Sequence, residues 1–170
     1  MATTRPASLP HGVTVEGPAR FLGTVALPAN SIGDGNVSPN DPLDCDKVRH
    51  QYAGLMAQPH GTAATAQRQI VRVVQGAGEI VTVNTTVSVA ATGDSKVTID
   101  VKKNGTTVLD STYVIDNGDA AYDLVPGDLV ASPTVAAGDV IEVVQTVSLG
   151  TGTLPQGVAT VVEFREDPGA

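Results

Sequence analysis

Residues 96–107 read KVTIDVKKNGTT, and their pattern decides the fold class. Val97, Ile99 and Val101 alternate with Lys96, Thr98, Asp100 and Lys102, so a strand through them turns one face to a core and the other to water. One dry face and one wet face mark an antiparallel sheet. Asn104-Gly105 follows at once. A two-residue type I′ turn needs positive φ at both central positions, which this dipeptide tolerates, so the chain should reverse here into a strand over residues 107–115. Asp116-Asn117-Gly118-Asp119 then forms a second turn.

The same reading extends in both directions. Upstream, residues 80–91 place Val81, Val83, Val87 and Val89 on one face and Thr82, Asn84, Thr86 and Ser88 on the other, after a Gly76-Ala77-Gly78 break. With 96–102 and 107–115 they predict a three-stranded meander. Residues 68–74 alternate charged and apolar side chains around Ile70, and residues 59–67 are small and polar, a loop. Residues 50–58 read as an earlier strand, with Gln51, Ala53 and Leu55 opposite Tyr52, Gly54 and Met56. Downstream, strands are expected over 121–125 and 129–135, with Pro126-Gly127-Asp128 between them. Ala137-Gly138-Asp139 then launches a strand over 140–149. Residues 150–157 read as a flexible connection and 158–164 as the closing strand. Six to eight short strands from Arg68 onward have the spacing of a sandwich or jelly roll. The expected fold is therefore all-β, an antiparallel β-sandwich of jelly-roll or Ig-like type, preceded by an irregular Pro/Gly-rich N-terminal arm. We place the arm and linker at residues 1–50 and the β-sandwich domain at 51–170.

Composition supports this division. The chain has 170 residues, of which 26 are Val and 19 Thr, both stiff β-branched types that disfavour a helical bundle. Aromatic residues make up 3% and Trp is absent, so the core must be built from small aliphatic side chains. Seven of the 11 prolines lie in the first 59 residues. The formal charge is −8; residues 1–67 hold four Lys/Arg and five Asp/Glu, whereas residues 68–170 hold six and 13. The acidic surface thus belongs to the β-domain. With no Lys/Arg cluster there is no electrostatic footprint for a nucleic acid. No apolar run approaches the roughly 18 residues of a membrane span, and the first residues lack the charged-then-apolar pattern of a secretory signal.

Nothing in the sequence assembles into a catalytic or metal centre, so no enzyme activity and no cofactor are expected. Cys45 is flanked by Asp44 and Asp46, whose charges oppose a thiolate, and being single it cannot form an intrachain disulfide. Asp44 reads better as the cap of a short turn. His11, His50 and His60 offer no close ligand pairing for zinc. Asp34, Asn36, Ser38 and Asn40 alternate like calcium ligands, but Pro39 stands near where the turn glycine is needed and no bidentate Glu follows. Gly76-Ala77-Gly78 and Gly150-Thr151-Gly152 lack the third glycine and the helix of a phosphate loop. Asp100, Asp110 and Asp123, the acids with which an enzyme would have to be built, read more simply as solvated side chains.

The succession LPANSIGDGNVSPNDPLDCDKVRH, AQPHGTAATAQRQIVRVVQGAGEI, VTIDVKKNGTTVLDSTYVIDN and VAAGDVIEVVQTVSLGTGTLPQGV resembles the head-decoration or head-fibre capsid proteins of tailed bacteriophages. The resemblance covers roughly residues 20–167. It implies a virion structural protein, made in the host cytoplasm and located on the capsid surface. It also implies a homotrimer whose N-terminal portion holds the major capsid protein while a β-sandwich projects outward. Ile32, Val37, Leu43 and Val48 are too sparse to form a core of their own, so they are expected to be buried either between three copies or on the β-domain of the same chain. With Arg5 and Phe21 they are the expected capsid or trimer contacts. A receptor- or glycan-binding fibre module is the alternative, and the low aromatic content counts against it.

Overall fold

A computed structural model of the chain describes residues 50–131 and 133–166. Ten strands run in the order β1 His50–Ala57, β2 Gln67–Val73, β3 Gly78–Thr86, β4 Lys96–Lys103, β5 Thr106–Thr107, β6 Tyr113–Ile115, β7 Val125–Pro126, β8 Thr134–Val135, β9 Val140–Ser148 and β10 Ala159–Glu166, with no helix among the described residues. They form two five-stranded antiparallel sheets packed face to face, the β-sandwich that the alternation of residues 96–103 implies. One sheet has the order β1-β10-β3, with β7 and β8 on the far side of β3. The other has the order β2-β9-β4, with β5 and β6 both on β4.

The core lies between the sheets. β4 contributes Val97, Ile99 and Val101, all fully buried, and β9 contributes Ile141 and Val143. From the opposite sheet come Met56, Val83, Val162 and Phe164. Asn104 and Gly105 have φ of 49° and 87°, as the type I′ reading requires. Asp116 and Asp139 close their turns with their own carboxylates: Asp116 accepts from the Gly118 N–H at 2.8 Å, and Asp139 from the Ala136 N–H at 2.9 Å.

Long-range pairing corrects several expectations. The three-stranded meander does not form, because β3 and β4 belong to different sheets, and β10 and β9 fill the positions beside them. β3 stops at Thr86, and its register with β10 shifts at Val81: Thr82 faces Glu163, yet Ile80 faces Phe164. That bulge turns Ile80 into the core with Val83 and leaves Val81 half-buried; beyond the end of β3 at Thr86, Val87 is buried and Val89 exposed. The returning strand after Gly105 is broken into β5 and β6, because Val108 and Leu109 turn into the core between them. The strands expected over 121–125 and 129–135 shrink to the two-residue pieces β7 and β8. Residues 150–157 are not a loose connection. They are laced to two other loops by Ala64 N–H to Pro155 O (2.8 Å), Ser88 N–H to Gln156 O (2.8 Å) and Thr92 N–H to Thr153 O (3.0 Å).

Candidate functional site

The register of β1 with β10 gives the sandwich two distinct ends. His50, where the chain arrives from residues 1–49, pairs with Glu166, where it leaves. This proximal end also holds the turns at 74–77, 104–105 and 136–139, because Val73 pairs with Val140 and Lys103 with Ile141. The distal end collects residues 58–66, 87–95, 116–124 and 149–158.

The proximal end is organised around Tyr52. Its ring stacks on Phe164, with centroids 5.2 Å apart and planes 18° from parallel. The Arg72 guanidinium lies 3.9 Å from the ring centroid on β2. Arg72 faces inward because β2 shifts register between Ile70 and Arg72, and the same shift leaves Ile70 exposed. The Tyr52 hydroxyl donates to Glu166 Oε1, which also accepts from the backbone N–H groups of Gln75 (3.3 Å) and Gly76 (3.2 Å). Burial pushes the Tyr52 phenol up to about 12, and the adjoining Glu166 charge pushes the same way. Burial works against the charged form of Glu166, but the Tyr52 hydroxyl, the two amides and Arg72 outweigh it and hold its carboxyl below the usual range. Arg165 and Glu79 form an ion pair beside this cluster.

Glu166 ties β10 to β1 and to the 75–76 turn, and its protonation should weaken that tie. A carboxyl whose folded value is depressed stabilises the fold above its unfolded value, and the contribution is lost as pH falls through the folded value. Glu166→Gln is therefore expected to lower the thermal midpoint at neutral pH by a few degrees at most, since the group is only half-buried. The gap from the parent protein should close well below pH 4.5. A gap that stays constant into acid, followed by circular dichroism, would show that the ionised carboxylate is not what holds this end.

Both G-x-G loops are already filled by the chain's own carboxylates. Glu166 occupies the amides at Gln75 and Gly76, and Asp94 Oδ1 accepts from both the N–H and the hydroxyl of Thr151. Those bonds hold the Asp94 carboxyl below its usual range. The loops act as strand connections, with their donors turned to internal acids rather than to a phosphate.

A second polar chain crosses the core. Thr85 Oγ1 lies 2.6 Å from the Tyr113 hydroxyl and 2.7 Å from Thr160 Oγ1, joining β3, β10 and β6. Burial pushes the Tyr113 phenol up to about 12, with the Thr85 hydrogen bond working against the shift, so it stays protonated at neutral pH. Asp100 accepts from the Thr107 hydroxyl at 2.6 Å and meets Lys102 Nζ at 3.5 Å. Among the described residues no three His, Cys, Asp or Glu side chains come together as a metal-binding group, so Asp100, Asp110 and Asp123 do not form one. A hollow of about 250 Å³ lies between the 104–105 hairpin and the 130–134 segment, over Val108, Val130 and Pro133. The nearby Lys103 ammonium is engaged with the Thr134 carbonyl at 2.8 Å.

The distal end is different in character. Tyr122 is 70% exposed and has a φ of 67°, a left-handed conformation rare for a residue other than glycine. Its N–H donates to the Val87 carbonyl at 2.8 Å, and its hydroxyl lies 3.4 Å from His60 Nε2. Leu124 and Leu149 are also exposed. Asp94, Asp116, Asp119 and Asp123 occupy these loops with Lys96 at their edge, whereas in the proximal half Arg72, Lys102, Lys103 and Arg165 offset Glu79, Asp139, Glu142 and Glu166. The negative charge of the β-domain is therefore graded toward the distal loops.

Arg5, Phe21, Ile32, Val37, Leu43 and Val48, the contacts expected from the sequence, lie outside the described residues, as do Cys45 and all but the last residue of the 1–50 arm. The Tyr52–Arg72–Glu166 cluster was not visible in the sequence. Tyr52 and Glu166 are separated by 114 positions, and only the bulge in β2 turns Arg72 toward them. Tyr122 had a faint signal, as one of three tyrosines in an aromatic-poor chain, but its exposure depends on the turn that holds it. No protein-family model matches the chain, and no curated protein does either.

Proposed function

We propose that this chain is a non-enzymatic virion structural protein that decorates and stabilises the head of a tailed bacteriophage. In this reading residues 1–50 bind the major capsid protein and associate as a homotrimer, while the β-sandwich projects outward. The observation that carries the reading beyond the sequence resemblance is the pairing of His50 with Glu166. It puts both chain ends of the sandwich at one end, and the eight-residue length of β1 carries the acidic loops about 26 Å away from them. A domain held at one end and charged at the other suits a surface projection. Stabilisation would follow from mass action, since a protein that binds only the assembled shell favours that state.

A glycan- or receptor-binding tip is the second reading, and Tyr122 favours it. An exposed ring fixed at the distal end by an uncommon backbone conformation is the type of platform on which a sugar ring stacks. Electron microscopy of particles made with and without the gene separates the role on the head from other roles. Decorated heads should show surface projections that the gene-deleted heads lack, and the deleted heads should break at a lower temperature. Purified virions that contain none of this protein by mass spectrometry would overturn the proposal.

A further inference from the structure

The sequence holds two Asn-Gly pairs, Asn104-Gly105 and Asn117-Gly118. In this dipeptide the Asn side chain is readily attacked by the next backbone nitrogen, because glycine has no Cβ to crowd the approach and leaves the backbone free to bend. The fold treats the two pairs differently.

Asn104 is anchored at every polar atom that matters. Its Nδ2 donates to Asp139 Oδ1 at 2.7 Å, its Oδ1 accepts from the Val140 N–H at 2.9 Å, and its own N–H donates to the Val140 carbonyl at 2.9 Å. These partners lie 35 and 36 positions along the chain, at the start of β9. The side chain therefore cannot swing onto the Gly105 nitrogen until the hairpin parts from β9. Crowding is not what protects it, since a Cβ on Gly105 would meet nothing within 4 Å.

Asn117 has no such anchor. It is exposed, and among the described residues its side-chain amide makes no hydrogen bond. A Cβ on Gly118 would meet only Asp116 Oδ1, at 3.2 Å. The turn is closed by the Gly118 N–H to Asp116 Oδ1 at 2.8 Å, the Asp116 N–H to Asp119 Oδ2 at 2.9 Å and the Asp119 N–H to the Asp116 carbonyl at 3.3 Å. All three bonds lie within four consecutive residues at the surface, so this turn opens without separating strands or disturbing the core.

We propose that Asn117 is a site of spontaneous deamidation through a cyclic imide with Gly118, and that Asn104 is not. The Gly118 nitrogen bonds to Asn117 Cγ and gives its proton to water, while the side-chain nitrogen takes up a proton and leaves as ammonia. Water then opens the ring. Breaking the bond from the ring nitrogen to Cγ gives aspartate, and breaking its bond to the main-chain carbonyl carbon gives isoaspartate. Either product adds a negative charge beside Asp116 and Asp119, and isoaspartate also lengthens the main chain by one carbon inside the turn that they close. The change falls in the distal loops, in the segment that leads to Tyr122.

The test uses the full chain without capsid, so its failure is independent of the virion role. The protein is held at physiological temperature and mildly alkaline pH, and both sites are followed by peptide mapping and mass spectrometry. Asn117 is expected to lose its amide at least about tenfold faster than Asn104, the factor set by the hydrogen bond to a charged partner that Asn104 alone must break. Isoaspartate and aspartate should both appear. Gly118→Ala, at a φ outside the left-handed region, should slow the loss severalfold. Equal rates at the two sites, or faster loss at Asn104, would overturn the proposal. So would aspartate formed without isoaspartate, since direct hydrolysis yields only aspartate, or an intact Asn117 after a free peptide of residues 113–122 has deamidated. If the Gly118→Ala variant fails to fold, comparison of the two sites in the parent chain decides alone.

Discussion

Phe164→Ala is expected to lower the unfolding free energy by about 3–5 kcal/mol, the range for truncating a fully buried aromatic side chain. Among the described residues Phe164 is the largest of the fully buried side chains, with no exposed surface, in a hydrophobic core otherwise made of Val, Ile, Leu, Ala and one Met. Its β-branched neighbours are held in few rotamers and cannot swing into the space a phenyl ring leaves. The loss reaches further than the cavity. Tyr52 would lose the ring it stacks on, and with it the support that holds its hydroxyl against Glu166 and its face under Arg72. Since domains of this size are stable by about 5–15 kcal/mol, the variant should sit near the edge of folding. Urea unfolding followed by circular dichroism measures the difference. A loss below about 1 kcal/mol would mean that the proximal core can collapse onto the gap, contrary to the close packing described above.

The second large effect concerns attachment. Removing residues 1–28 is expected to abolish capsid binding while the sandwich stays folded, because the ten strands and the core found among the described residues are all built from His50 onward. The expectation rests on the resemblance to head-decoration proteins and on the entry of the chain at the proximal end of the sandwich. It also rests on charge, since residues 1–67 are nearly neutral and the β-domain carries most of the −8. Repulsion between like-charged sandwiches disfavours their packing on one another, and a nearly neutral segment docks without that cost.

How much of this was legible in the sequence depended on whether the physics was local. The alternation of Val97, Ile99 and Val101 and the positive-φ turn at Asn104-Gly105 are decided within a few residues, and both read correctly. Pairing is decided elsewhere. The alternation over residues 80–91 gave no sign that β3 would join β10, whose residues lie some 75 positions later, rather than β4. The bulge at Val81 is equally silent, since one extra residue reverses the inward face without changing residue type. Residues 150–157 looked loose because Gly and Thr are common in loops. Their order comes from partners at Ala64, Ser88, Val89 and Thr92 that no local window contains. The cluster at Tyr52 and the exposed Tyr122 were hidden for the same reason: each is assembled by strands and turns that are distant in the chain.

The most direct measurement is co-sedimentation of the full chain, and of the chain lacking residues 1–28, with empty capsids assembled from the major capsid protein of the same particle. The full chain is expected to pellet with the capsids, and the shortened chain to remain in the supernatant with an unchanged β-sheet circular dichroism spectrum. Pelleting of the shortened chain to the level of the full chain, or failure of the full chain to pellet at all, would contradict attachment of the sandwich to a phage head through its N-terminal residues.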